Sequence, residues 1–155
     1  MKKIAAAFAL GVVLALPVAA HAQGSLAGTW TSAYPTRVTN ENGNVVASET
    51  RPSTMTLTLM GDSVLGTWHL DATAGGAAPA PIHLKGTRVG TKVTLTADAV
   101  ERNINIGDGP KKVMLSTVYT FELKGDVLTG TQKNVSTDGS FEGPELDYLA
   151  KRIKP

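Results

Sequence analysis

Apolar and polar residues alternate along most of this chain. In "TMTLTLM", Met55, Leu57 and Leu59 fall on one face, and Thr54, Thr56 and Thr58 on the other. "KVTLTAD" sets Val93, Leu95 and Ala97 against Thr94 and Thr96. "VYTFELK" sets Tyr119, Phe121 and Leu123 against Val118, Thr120 and Glu122. A period of two marks a β-strand with one buried face. Threonine is β-branched and polar, which suits the other face. After the first two dozen residues, no long window carries a sustained helical period, so helices are not expected there.

Turn residues punctuate these runs. Asn42-Gly43 favours a tight type I′ hairpin, whose central residues need positive φ. Gly61-Asp62, Gly125-Asp126 and "RVGTK" (Arg88 to Lys92) mark other reversals. The pattern predicts eight strands, at about 27–38, 45–49 continuing irregularly to 60, 63–71, 81–88, 91–100, 112–124, 126–134 and 145–153. Two longer loops, 72–81 and 136–144, lie between them. "ERNINIGDGPKK" extends a hairpin, and Ile104 and Ile106 shift the apolar phase relative to Val93 and Leu95. A bulge would produce that shift. Consecutive hairpins imply an all-β, eight-stranded, antiparallel up-and-down barrel, because closure removes exposed edges. A two-sheet β-sandwich is the competing architecture.

Two segments echo each other. "TLTLMGDSVLGT" aligns with "TFELKGDVLTGT" at an offset of 64 residues. Glycine permits the turn, aspartate bonds the local backbone, and Gly66 and Gly130 allow the return strand to bend. This reads as one hairpin chemistry used twice rather than as a duplication. The tripeptide G-T-W also recurs, as Gly28-Thr29-Trp30 and Gly66-Thr67-Trp68, and holds both tryptophans of the chain.

The N-terminal end follows a different rule. Met1-Lys2-Lys3 precedes an uncharged run from Ile4 to Leu16, then Pro17 and Ala20-His21-Ala22. This is the form of a cleaved signal peptide over residues 1–22, with residues 23–155 as a single β-barrel domain. The apolar run is shorter than the roughly 18 residues of a spanning helix, so no membrane span is expected after cleavage. The expected location is exported, either periplasmic or secreted. With the leader, Lys2 and Lys3 are lost, and the net charge of +2 falls to zero. A neutral chain without a basic cluster gives no reason to expect nucleic acid as a partner. The chain has no cysteine, which excludes disulfides, thiol catalysis and thiolate metal sites.

"LAGTW" at the first strand, followed by hairpins that return in "LGTW" and "LTGT", resembles the calycin superfamily of lipocalins, fatty-acid-binding proteins and avidins. Gly28-Thr29-Trp30 matches the lipocalin G-x-W element, and Val127 to Thr131 is similar to the avidin hairpin return. The resemblance implies a barrel whose first tryptophan sits at the closed end under a basic side chain of the last strand. That places Arg152 over Trp30 as a structural closure, with Lys151 as the alternative. Avidins ring biotin with several tryptophans; only Trp68 remains here beside Trp30, and Thr31, Ser32 and Tyr34 follow the motif. Exported β-barrel inhibitors of bacterial metalloproteases begin with a similar strand, usually with a disulfide that this chain lacks.

Other patterns point to chemistry more weakly. His69, Asp71 and His83 could meet across a hairpin, yet isolated strand histidines mostly face solvent, and no metal site is assigned. "GDSV" resembles the G-D-S-L esterase block, but no D-x-x-H follows, and Ser63 reads as a turn residue. "NENGN" has its glycine too early for a calcium loop. Glu145 and Asp147 are the one closely spaced carboxylate pair on the last strand.

Trp68 shares its phase with Val64, Gly66 and Leu70, and so points inward with Tyr119 and Phe121. The leading expectation is non-catalytic binding of a small apolar ligand inside the barrel. Its contacts would be Trp68, Tyr119, Phe121, Tyr148 and Leu95, with a hydroxyl or His69 fixing its orientation. No cofactor is implied. The alternatives are a protein-binding module, such as an inhibitor of an exported protease, and a barrel enzyme of isomerase or hydrolase type.

Overall fold

The computed structural model describes residues 25–41, 44–72, 76–105 and 109–154. The predicted leader, the Asn42-Gly43 tip and Ile106 lie outside the described residues. The strands are β1 (Gly28–Glu41), β2 (Asn44–Met60), β3 (Ser63–Leu70), β4 (Ile82–Val89), β5 (Lys92–Ala97), β6 (Val100–Asn105), β7 (Pro110–Lys124), β8 (Val127–Ser136) and β9 (Leu146–Arg152). Their order is β5-β4-β3-β2-β1-β9-β8-β7-β6, and β5 also pairs with β7. That extra pairing closes an eight-stranded antiparallel barrel and leaves β6 outside the ring. It also rules out the sandwich.

The ninth strand comes from a break in the predicted strand 91–100. Asp98 N still donates to His83 O of β4 at 2.9 Å. The chain then leaves the ring and resumes as β6 at Val100. β7 serves two partners in turn. Pro110–Leu115 pairs with β6, and Val118–Glu122 pairs with β5. The inward phase runs through Val93, Leu95 and Ala97 in β5 but through Val100 and Ile104 in β6. The phase shift legible in the sequence is therefore absorbed at Asp98-Ala99, where the strand is interrupted. β2 is continuous, and the irregularity expected near residues 45–49 appears in its register with β1, which shifts on both sides of Arg37.

The two ends of the barrel differ. Two-residue turns connect β2 to β3, β4 to β5 and β7 to β8, and Gly61, Gly90 and Gly125 begin them at φ of 64°, 63° and 62°. These turns gather at one end. The long hairpins and loops gather at the other, because antiparallel strands alternate direction. Trp30, Leu57, Val64, Val93, Leu95, Phe121 and Leu128 are buried in the core. Burying each such side chain contributes about 1.5–3 kcal/mol.

The echoed hairpins superpose in register. Leu57 faces Gly66, and Phe121 faces Gly130. A Cβ at Gly66 would lie 2.4 Å from Thr56 O, and one at Gly130 would lie 2.0 Å from Thr120 O. Only glycine allows the strands to approach this closely where the sheet coils to close. Gly130→Ala should lower unfolding free energy by about 1–3 kcal/mol through overpacking. Urea denaturation of the two proteins measures this, and an unchanged midpoint would refute the close-packing account.

Candidate functional site

The closed end is built on Trp30. Its ring is fully buried, and Nε1 donates to Leu26 O at 3.1 Å. Trp30 pairs directly with Arg152 across the β1–β9 ladder. The Arg152 guanidinium carbon lies 4.2 Å from the Trp30 ring centroid. That guanidinium also donates to Asp126 Oδ1 at 3.1 Å, to Ala27 O at 2.9 Å and to Ser25 O. A Cβ at Gly28 would sit 2.5 Å from Arg152 Nη1, so the glycine of the G-T-W element clears room for the arginine. Lys151 is exposed on the other pleat. Lys154 and Arg152 together hold the Asp126 carboxyl below the usual range.

The middle of the barrel is aromatic. Tyr119 and Tyr148 meet edge to face at 5.1 Å, and Phe121 lies 5.8 Å from Tyr148. Burial pushes the Tyr119 phenol well above its ordinary range and the Tyr148 phenol up to about 12. Both stay neutral near pH 7, so they can donate hydrogen bonds but cannot act as bases. The Tyr148 hydroxyl approaches Met55 Sδ at 3.9 Å.

Above this layer a cavity of about 390 Å³ opens between the β1–β2 and β6–β7 hairpins. Tyr34, Trp68, Leu70 and Tyr119 line it from the ring strands. Tyr34 and Trp68 stack tilted at 4.8 Å. Val100, Ile104 and Leu115 form the wall contributed by the β6–β7 hairpin. Polar side chains line much of it, Arg51, Asn103, Thr117 and Asn134 among them. Arg51 donates to Asp71 O, and Thr117 Oγ1 donates to Asn134 Oδ1 at 2.8 Å. Asp98 and Arg102 sit near the rim. No protein-family model, no curated protein and no solved structure matches this chain. The site's chemistry therefore has to be read from its own residues.

The structure brings together only part of the predicted set. Trp68 and Tyr119 line the cavity. Phe121, Tyr148 and Leu95 are buried in the packed core and do not line it. His69 is exposed on the outer face of β3, because it has the opposite phase from Trp68. His83 is exposed as well, and among the described residues no three His, Asp or Glu groups are placed to hold a metal. Glu145 precedes β9, while Asp147 is exposed on it.

Sequence reading missed Tyr34, Arg51 and the whole β6–β7 wall. A signal existed for Arg51: the inward phase of Met55 and Leu57, extended upstream, passes through Ser53 and Arg51. The same extension from Tyr119 reaches Thr117 and Leu115. For the β6–β7 wall the signal was the phase shift at Ile104, which marks a break after β5 but not where the hairpin packs.

Arg152→Ala should destabilise the fold by about 2 kcal/mol through loss of the cation–π contact and the charged hydrogen bonds. In a Trp68→Phe background it should also red-shift Trp30 emission. Unchanged emission and melting temperature would remove Arg152 as a cover. The depressed Asp126 value has a definite sign. Its contribution is present above the usual carboxylate range and is lost as pH falls through the lowered folded value. The melting-temperature gap between wild type and Asp126→Asn should therefore narrow in acid. A gap that widens on acidification would contradict the assignment.

Proposed function

We propose that this chain is a calycin-like exported barrel that binds a small, mainly apolar molecule without catalysis. The observation that carries this reading is the cavity of about 390 Å³ above a filled core. Its size falls in the roughly 300–1,000 Å³ range of small-molecule sites. An apolar body would pack on Trp68, Leu70, Tyr34 and the β6–β7 wall. A polar end would meet Arg51, Thr117 and Asn134, which replace His69 in the orienting role. A carboxylate or other anionic end suits Arg51, whose guanidinium uses one amino group on Asp71 O and keeps other donors.

Native mass spectrometry of protein taken from its own exported fraction tests for a retained small molecule. Titration with decanoate and decanol then tests the site. Both should quench Trp68 emission. Trp68→Ala should weaken both ligands by about tenfold or more through lost apolar contact. Arg51→Gln should weaken decanoate and leave decanol unchanged. No saturable response to either ligand would refute the reading.

A further inference from the structure

The barrel ring has a short seam. β1 and β9 pair only through Trp30–Arg152, Thr31–Lys151 and Ser32–Ala150. In an antiparallel sheet, successive peptide groups of a strand face its two neighbours alternately. Arg152 N donates to Asp126 O on the β8 side at 2.9 Å, and Ile153 N donates to Thr29 O of β1 at 2.8 Å. The same alternation turns the peptide groups of Lys151, Leu149 and Asp147 toward β1. Lys151 meets Thr31, but the ladder ends before Leu149 and Asp147. Continued in the same register, the ladder would set Ala33 against Leu149 and Pro35 against Asp147; Pro35 has no N–H to offer, and the register of β1 with β2 shifts just beyond it.

A groove of about 590 Å³ follows this parting of the strands, with Ala33, Pro35 and Pro52 on one side and Leu146 and Leu149 on the other. A smaller cavity of about 190 Å³ lies next to it, under Phe141 and Pro144. Gln132 lines both. It is only 4% exposed, and among the described residues its Oε1 has no hydrogen-bond partner. Gln132 occupies in the second echoed hairpin the place that Trp68 holds in the first. A buried amide oxygen without a donor is a costly feature to retain in a core.

We propose that this groove binds an extended polypeptide segment, which pairs with the free edge of β9 at Asp147 and Leu149 and donates a backbone N–H to Gln132 Oε1. The occupant follows from the pattern of unmet groups. A strand edge repeats a donor and an acceptor about every 6.8 Å, and an extended peptide repeats their complement at that spacing. The added strand continues the existing β8–β9 ladder. Leu149 is 53% exposed and offers an apolar contact to an alternate side chain of the guest. Pro35 blunts the β1 edge, so pairing is confined to β9. The groove adjoins the cavity at the open end, since Pro35 lines both, but Gln132, Asp147 and Leu149 do not line that cavity, and the proposal does not depend on the ligand proposed there.

Amide hydrogen exchange by NMR on the full chain tests this, with a capped octapeptide of alternating valine and threonine as the probe. In the free protein, Asp147 and Leu149 amides should exchange faster than those of Tyr148 and Ala150, which face β8. Millimolar peptide should slow Asp147 and Leu149 by about tenfold or more. Leu149→Pro removes one free N–H without touching the β8 ladder and should abolish the slowing. Gln132→Met should raise the melting temperature while weakening peptide protection; a purely structural glutamine would leave protection unchanged. Slow exchange at Asp147 and Leu149 in the free chain overturns the proposal, as does exchange that millimolar peptide leaves unaltered.

Discussion

Three residue pairs between the first and last strands hold this ring closed, and Trp30–Arg152 is the one that does most to fix it. The two residues are neighbours in the ladder, and the guanidinium also lies over the indole ring. The arginine ties the segment before β1, through Ser25 and Ala27, to the β7–β8 turn, through Asp126. Chain entry, chain exit and a turn are thereby joined around one buried aromatic. A ring closed so firmly at one end can afford to loosen at the other.

That asymmetry organises the interior. Below Tyr119 and Tyr148 the barrel is filled, with Gly66, Gly86 and Gly130 at points where strand backbones press together. Above them the side chains become polar or recede. Ser32 and Ser53 share a hydrogen bond of 2.9 Å, and Thr117 and Asn134 share another of 2.8 Å. The cavity at the open end and the groove at the seam both begin at this change. The cavity is walled by the chain that leaves the ring after Ala97 of β5, and the groove follows the end of the β1–β9 ladder at Ser32.

Features governed by neighbours in sequence were legible. Alternation in "TMTLTLM" and "VYTFELK" placed β2 and β7, and Gly-Asp pairs placed two of the tight turns. The inward phase of Trp68 and Tyr119 followed from the same period of two. The site was only half legible. Leu95, Phe121 and Tyr148 share that inward phase with Trp68 and Tyr119, so alternation alone does not separate a packed core position from a cavity wall. Height along the barrel axis makes that distinction, and it depends on strand tilt and register.

The sequence by itself determined an all-β chain of hairpins with an inward and an outward face, because side-chain direction in a strand is set by each residue's place in the chain. The tertiary structure alone decided that β7 shares its length between β6 and β5, that the β1–β9 seam stops at Ser32, and that Gln132 is buried with an oxygen unmet among the described residues. Those outcomes depend on strands distant in sequence choosing a register together. That choice is made by ring closure and core packing, which no local pattern encodes.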